Sequence, residues 1–168
     1  MTGVLDAGVF VSVGSMMPFD RLVQAMDEWA AAHPDVPVEI QIGRGKYEPH
    51  HARFVRLMRV VDYRARVAAA RLFVAHAGMG SIISAIEAGK PLLMLPRLRG
   101  QGEHNTDHQL ATAATIGVRP GLHVAADAAD LKARATALLA DTGTPPAPIS
   151  RFADPAFTAR IRAFIEAP

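Results

Sequence analysis

Short apolar runs alternate with amphipathic stretches along most of the chain. Residues 9–13 are apolar and rich in β-branched side chains and are followed by Gly14, which predicts a buried strand that runs into a loop. Residues 20–32 carry their apolar side chains on one helical face and end before Pro34, so they predict a helix. Residues 36–42 predict a second strand.

The same alternation continues toward the carboxyl end. Residues 54–61 mix apolar residues with Arg and fit either a short strand or a helical turn. Further helices are predicted at 62–70, 82–88, 105–116, 130–139 and 154–165, and further extended segments at 72–75, 92–95 and from residue 118. The repeated strand-then-helix order indicates an α/β, Rossmann-like fold with a mostly parallel sheet and helices on both faces.

The length of 168 residues is enough for one domain with its own core. We expect a single domain over residues 1–168, with the core at about residues 9–140. Residues 141–168 then form a Pro-rich linker, at 144–148, and a C-terminal helix. Phe157, Ile161 and Phe164 share one side of this helix, and we expect them to pack on the sheet, with a partner interface as the alternative.

The composition excludes several classes of function. The chain has no Cys, so a disulfide framework, a thiolate metal site and a cysteine nucleophile are excluded. Its formal net charge of +2 is too small to indicate nucleic-acid binding. The amino terminus lacks a signal-peptide pattern, and no apolar run approaches the roughly 18 residues that span a bilayer. We therefore expect a cytoplasmic protein that associates with a membrane only through a partner or a surface patch.

The segment at residues 71–96 predicts a strand, a glycine turn, a helix and a second strand. In such a unit, glycines such as Gly78 and Gly80 let the backbone approach a ligand closely, and the helix N-terminus favours an anion, most often a phosphate. Ser81 is placed to cap the helix or to bond a phosphate oxygen. The alternative is a turn that serves only tight packing, because the loop has neither the dinucleotide-binding fingerprint nor a P-loop.

Four loops are expected to meet at the carboxyl edge of the sheet, where open α/β sheets bind ligands. They are 14–15, 43–47, 76–81 and the polar loop that follows residue 95. The last contains eight consecutive polar or glycine residues, 102–109, which supply the carboxylate, amide and imidazole groups that bind sugar hydroxyls.

Two other interpretations of residues 102–109 remain open. One is a solvated loop in which Asn105 caps the next helix. The other is a metal site at His104 and His108, which are four residues apart, although no third ligand is evident. We expect no metal and no cofactor.

Four motifs follow one another in a fixed order. They are Val-Ser-Val-Gly-Ser at 11–15, His-Ala-Gly-Met-Gly-Ser at 76–81, Gly-Lys-Pro-Leu-Leu-Met-Leu-Pro at 89–96 and Asp-His-Gln at 107–109. Over about residues 9–114 this succession resembles the C-terminal half of family 28 glycosyltransferases. It is most similar to stand-alone forms, namely the catalytic subunit of the dolichol-linked N-acetylglucosaminyltransferase and the small subunit of bacterial exopolysaccharide glucuronosyltransferases. It resembles plant and animal UDP-glycosyltransferases more loosely.

The resemblance implies a role for each motif. Gly14 and Ser15 would meet the diphosphate of a UDP-sugar from the first loop. The second motif would hold the same diphosphate from the helix side, through His76, Gly78, Gly80 and Ser81. The fourth loop would bind the donor sugar through Asp107 and Gln109, with Asn105 beside them.

The sequence departs from the related signatures at the ribose position. Related proteins commonly have a Glu three residues after the loop serine, where this chain has Ser84. The nearest acid is Glu87. Around the helix axis, Ser84 lies at a smaller angle from Ser81 than Glu87 does. Both residues remain candidates for the ribose contact. The catalytic base is open as well, with His104 and His108 as candidates in this chain and a partner subunit as the preferred source.

The resemblance also implies half of a two-domain fold of the GT-B type, with a cleft between two Rossmann-like halves. We expect the UDP-sugar-binding subunit of an inverting hexosyltransferase in exopolysaccharide synthesis. A membrane-associated subunit would hold a lipid-linked saccharide acceptor and would keep this chain peripheral at the inner face of the membrane. The alternative is a non-catalytic nucleotide-binding subunit with a regulatory or structural role.

Overall fold

A computed structural model describes residues 8–141, residue 145 and residues 153–167. The predicted linker at 144–148 lies, except for residue 145, outside the described residues. Six strands and six α-helices occur in the described part. The strands are β1 Val9–Ser12, β2 Val38–Gln41, β3 Arg53–Val55, β4 Leu72–His76, β5 Leu92–Leu95 and β6 Leu122–Val124. The helices are α1 Asp20–Ala32, α2 Val60–Ala69, α3 Met79–Ala88, α4 His108–Ile116, α5 Ala128–Ala140 and α6 Pro155–Glu166.

The strands form one sheet in the order β3-β2-β1-β4-β5-β6, and every pair is parallel. The central strands are apolar on both sides because helices cover both faces of the sheet. Alternate residues of β1 show this arrangement: Val9 and Val11 pack with α1 and α5, whereas Phe10 packs with α2 and α3. The two edge strands, β3 and β6, are only three residues long.

The predicted fold class is therefore confirmed, and the differences concern the ends of the chain's elements. Residues 54–61 contain both predicted alternatives, since β3 ends at Val55 and α2 begins at Val60. The helix predicted from residue 105 begins at His108, and the last strand lies at Leu122–Val124 and does not begin at residue 118. None of the helices in the described residues combines the length and hydropathy that crossing a bilayer requires.

The packing expected for the C-terminal helix was wrong. All residues of α6 are exposed, including Phe157, Ile161 and Phe164, the last with 85% of its surface accessible. Amphipathic spacing predicts a helix with one apolar face, but it does not identify the surface that covers this face.

Candidate functional site

A cleft of about 660 Å³ opens at the carboxyl edge of the sheet. It lies where β1 and β4 are neighbours and the helices that follow them leave to opposite faces, which is the position where open α/β sheets bind ligands. Most of the residues that the sequence indicated line this cleft. They are Gly14, Ser15, His76, Gly78, Gly80, Ser81, Ser84, His104, Asn105, His108 and Gln109.

The His76 ring is held between two glycines at the end of β4. A Cβ atom at Gly14 would lie 2.6 Å from Cε1 of this ring, and one at Gly78 would lie 2.3 Å from Nε2. Both positions therefore require glycine while the ring stays in place. Burial, together with the nearby positive charge of Arg97, lowers the pKa of His76 to about 4, so the imidazole is neutral at pH 7. Its Nδ1 is buried and has no hydrogen-bond partner among the described residues.

The loop between β1 and α1 is held by its carbonyl groups. Gly14 has a φ of 79°, a conformation that favours glycine. Its N–H donates to Ser12 Oγ, and its carbonyl accepts from Gln41 Nε2 at 3.1 Å. The next three N–H groups, those of Ser15, Met16 and Met17, donate to no acceptor within the described ranges. Successive free N–H groups of this kind form a concavity that suits an anion.

The N-terminus of α3 faces the same cleft. Its N-cap is Gly78, which has no side chain to accept a hydrogen bond from the first turn. The N–H groups of Met79 and Gly80 have no acceptor in the part of the chain that the structure describes, whereas those of Ser81 and Ile82 donate to the Gly78 carbonyl. A Cβ atom at Gly80 would meet no protein atom within 4 Å. The backbone at Gly80 is thus open to a ligand.

The opposite side of the cleft is formed by the start of α4. Gln109 is buried, and its Oε1 accepts a hydrogen bond from the Arg97 N–H at 3.1 Å. Its Nε2 donates to no group among the described residues and remains available in the cleft. His104 and His108 have ring centroids 4.5 Å apart, and Thr106 bridges them, with its N–H 3.3 Å from His104 Nδ1 and its Oγ1 2.7 Å from His108 Nδ1. Within the described residues, no group of three His, Asp or Glu side chains is arranged to hold a metal ion.

Two of the predicted site residues lie outside the lining of the cleft. Asp107 accepts a hydrogen bond from the Arg99 N–H at 2.8 Å and thereby holds the loop before α4. Glu87 is exposed on α3. Ser84 does line the cleft, but its hydroxyl donates to the Gly80 carbonyl at 2.7 Å. Their assignment to sugar and ribose therefore stays a prediction, and the structure favours Ser84 over Glu87 as the residue near a ligand.

The structure adds a largely apolar wall that the sequence did not indicate. It is formed by the segment between β3 and α2 and by the first turn of α2, with Leu57, Met58, Val60, Tyr63 and Arg64. Burial raises the pKa of Tyr63, and interactions of its hydroxyl with serines of α3 offset part of this effect. No motif marks these residues, because only the packing of α2 against α3 brings them to the cleft.

The charge of the lining has one sign. The cationic side chains of Arg64 and Arg97 line the cleft, together with three histidines of which His76 is neutral, and no Asp or Glu among the described residues does so. Together with the free N–H groups of the two loops, this distribution favours an anionic ligand.

Comparisons with known proteins identify related sequences. The sequence profile described as glycosyltransferase family 28 C-terminal domain matches residues 8–136. The chain is 33% identical over 112 residues to UDP-glucuronosyltransferase 3A1 of Bos taurus; the match covers 59% of this chain, which spans only about a fifth of that relative, 20%.

Solved structures share the fold at low sequence identity. The NMR structure of ALG13 has a TM-score of 0.57 and 18% identity, and the match covers 92% of this chain and 94% of that one. Os79 from O. sativa in complex with UDP has a TM-score of 0.58 and 14% identity, with 81% and 32% covered. The UDP-GlcNAc 2-epimerase of Methanocaldococcus jannaschii in complex with UDP-GlcNAc and UDP has a TM-score of 0.62 and 10% identity, with 98% and 46% covered.

Proposed function

The chain belongs to the family of glycosyltransferase family 28 C-terminal domains, and we propose that it is the UDP-sugar-binding half of an inverting glycosyltransferase. The observation that carries this proposal is the cleft at the carboxyl edge, which has free N–H groups on two sides and no carboxylate among its described lining residues. A nucleoside diphosphate fits this combination of hydrogen-bond donors and positive charge. The matches to a UDP-glucuronosyltransferase and to a protein solved with UDP support uridine as the nucleoside.

The diphosphate is proposed to lie between the loop after β1 and the N-terminus of α3. Ser15, Met16 and Met17 would donate from one side, and Met79 and Gly80 from the other. The neutral His76 lies between the two loops and would add a side-chain donor without needing to be charged. The α3 dipole acts in the same direction, since its positive end faces the cleft.

The two ends of the cleft suit the two ends of a UDP-sugar. The apolar wall with Leu57, Met58 and Tyr63 offers a surface for the nucleoside. The polar side with Asn105 and Gln109 offers amide groups for sugar hydroxyls. In this arrangement the sugar projects from the diphosphate toward α4.

The proposed chemistry is direct displacement at the anomeric carbon. An acceptor oxygen attacks this carbon, the bond to the diphosphate oxygen breaks, and UDP leaves with the bonding electrons while a base takes the acceptor proton. The N–H groups around the diphosphate stabilise the charge that develops on the leaving group. Since no carboxylate among the described residues lines the cleft, the base is His104, His108 or a group of the acceptor-binding half.

A second subunit is proposed to supply the acceptor half of the active site. The likeness to ALG13, a chain of which this one covers 94%, supports a donor half that occurs as a separate polypeptide. We propose that the partner is membrane-associated and presents a lipid-linked saccharide, and that this chain works at the inner face of the membrane in polysaccharide synthesis.

Calorimetric titration of the purified chain tests the proposal. The ligands are UDP, UDP-glucose, UDP-glucuronate, UDP-N-acetylglucosamine and ADP. We expect UDP to bind more tightly than ADP and one UDP-sugar to bind more tightly than the others. Equal binding of UDP and ADP would contradict the uridine assignment, and binding of none of them, alone or with the partner present, would contradict the function.

A substitution at Gly80 separates ligand binding from folding. Gly80→Val places its side chain where no protein atom lies within 4 Å, and valine has a better helix propensity than glycine by a few tenths of a kcal/mol. We therefore expect an unchanged or slightly higher melting temperature together with loss of UDP binding. Retained UDP affinity would place the diphosphate elsewhere.

A non-catalytic nucleotide-binding subunit is the second candidate. It is favoured by the same absence of lining carboxylates, because neither a carboxylate base nor an acid for the ribose hydroxyls is present there. Assays of sugar transfer with the partner subunit separate the two functions. If the chain binds UDP and every UDP-sugar with equal affinity, and the complex with the partner transfers no sugar, the second candidate is supported.

A further inference from the structure

Arg97 is a buried arginine whose charge has no acidic partner. It follows β5 and Pro96, and only 2% of its surface is exposed. Its guanidinium stacks on the Phe19 ring, 4.7 Å from the centroid. No Asp or Glu of the described residues forms an ion pair with it, since the nearby carboxylate of Glu103 is bound by Arg21. A buried charge without a counter-ion is rare and is costly to keep.

Four backbone carbonyls solvate the guanidinium instead. Nη2 donates to the carbonyls of Val13 and Met17, each at 2.7 Å, and Nη1 donates to those of Pro18 and Glu103. Three of these four carbonyls belong to the loop between β1 and α1. Arg97 therefore connects this loop, which follows β1, to the end of β5, two positions along the sheet order.

These contacts fix the conformation of the loop from both sides. Arg97 holds the carbonyls at Val13 and Met17, which flank the stretch 14–16, and Gln41 holds the Gly14 carbonyl within it. Since the carbonyl and the N–H of a peptide unit point in opposite directions, the N–H of Ser15 is directed away from Gln41. The free N–H groups at 15–17 thus lie in a stretch that is held at both ends, through the carbonyls of Val13 and Gly14 before it and of Met17 after it.

We propose, resting on the function proposed above, that Arg97 is a positioning residue that sets the loop between β1 and α1 in its diphosphate-binding conformation. Its unpaired charge also lines the cleft, where the dianionic ligand supplies the missing counter-charge. Burial lowers the pKa of Arg97 to about 10, and the nearby negative charge of Glu103 offsets only part of this effect. The side chain remains charged at pH 7.

The test compares two buried arginines. Arg97→Lys keeps the charge but lacks the planar fork that reaches four carbonyls. Arg66→Lys is the matched control, because Arg66 is also buried, pairs with Glu39 through Nε at 2.7 Å, and does not line the cleft. UDP affinity is measured by calorimetry, uridine affinity by NMR titration, and folding by thermal denaturation of each chain.

We expect Arg97→Lys to weaken UDP at least tenfold and to leave uridine within about twofold. Arg66→Lys should lower the melting temperature but leave both affinities unchanged. A merely structural role for Arg97 predicts equal loss of UDP and uridine, and either this result or unchanged UDP affinity would overturn the proposal. If the unaltered chain binds no UDP, the proposed function fails first; if it does and Arg97→Lys binds UDP equally well, only the role of Arg97 fails.

A measurement on the unaltered chain covers the case in which Arg97→Lys does not fold. The side-chain Nε–H resonance of Arg97 should shift when UDP is added and stay in place with uridine, while that of Arg66 should stay in place with both. An Arg97 resonance that is insensitive to UDP would contradict the proposal.

Discussion

Two polar regions of this molecule differ in how many of their polar groups form hydrogen bonds within the protein. On α1, Asp27 is buried and accepts four hydrogen bonds, from the Tyr47 hydroxyl and from the N–H groups of His50, His51 and Ala52, at 2.8–2.9 Å. In the cleft, by contrast, polar groups remain without protein partners within the described part, such as Nδ1 of His76 and the N–H groups at 15–17.

This difference distinguishes polar groups that stabilise the fold from polar groups that are available to bind a ligand. Buried polar groups in proteins are almost always hydrogen-bonded, so the buried Nδ1 of His76 is an exception that needs an explanation. Around Asp27 the network is closed and orders the chain before β3. In the cleft the open groups are donors and the charges are positive, and an anionic ligand satisfies both.

The largest effect is expected at the closed network. Asp27→Asn replaces one carboxylate oxygen by an amide nitrogen, which donates and cannot accept from N–H or O–H groups, and we expect a loss of at least about 3 kcal/mol in the free energy of unfolding. Urea denaturation measures this loss, and Asp35→Asn, at an exposed acid, should change it by less than about 0.5 kcal/mol. UDP affinity should be unchanged in both. If Asp27→Asn lost UDP affinity but kept its stability, Asp27 would belong to the ligand site, and the two regions would not differ in role.

The next effect concerns pH and arises in the open region. The pKa of His76 is lowered to about 4 in the folded chain, so the unfolded chain binds more protons between pH 6.5 and 4. The contribution of neutral His76 to the free energy of unfolding is therefore fully present above pH 6.5. It decreases by up to about 3 kcal/mol as the pH drops toward 4.

Denaturation curves across this range check the sign. His76→Asn should lose less stability than the unaltered chain between pH 6.5 and 4, while His123, whose pKa burial also lowers, leaves a residual slope. If the free energy of unfolding changes with pH in the same way in both chains, the pKa of His76 is not lowered by burial in the folded state.

A third prediction concerns the glycine beside His76. Gly14→Ala adds a Cβ atom 2.6 Å from the His76 ring at a φ of 79°, which costs about 1–2 kcal/mol in backbone strain alone. The loop and the ring must shift, so we expect at least tenfold weaker UDP binding by calorimetry. Gly100→Ala is the control, since its Cβ atom would meet nothing within 4 Å, and it should bind UDP normally. Normal UDP binding by Gly14→Ala would remove this loop from the site.

The smallest effect is expected at the sugar end. Gln109→Ala removes the free Nε2 donor, and we expect UDP affinity within about twofold but a loss of roughly five- to tenfold for the preferred UDP-sugar, equivalent to one hydrogen bond. Gln101→Ala, at an exposed glutamine outside the cleft, is the matched control. If Gln109→Ala weakened UDP and the UDP-sugar equally, the residue would act through Arg97 and not on the sugar.

Much of the fold could be predicted from the sequence because parallel strands and their helices leave local patterns. The apolar run Leu92–Leu95 and the glycine turn before α3 determine their own conformations. The position of α6 could not be predicted, because an apolar stripe indicates that a partner surface exists without identifying it.

The site was predictable only where glycines and motifs mark it. The sequence indicated both Gly14 and Gly78, but it did not show that the ring of His76 excludes a side chain at both positions. This ring is a local neighbour of Gly78, whereas its contact with Gly14 is tertiary and has no local signal. Arg97 lies in the loop after residue 95, which the sequence indicated only as polar. Its burial depends on carbonyls of residues about 80 positions earlier, which no local pattern encodes.

The short edge strands have a consequence for handling this chain in isolation. With three residues each, β3 and β6 present few unpaired backbone groups to a neighbouring sheet, and β3 carries the exposed charge of Arg53. Long flat edges act as templates for intermolecular pairing, so this sheet offers little surface for it. Any self-association at high concentration should therefore be reversible and driven by side chains, without the growth of cross-strand fibrils.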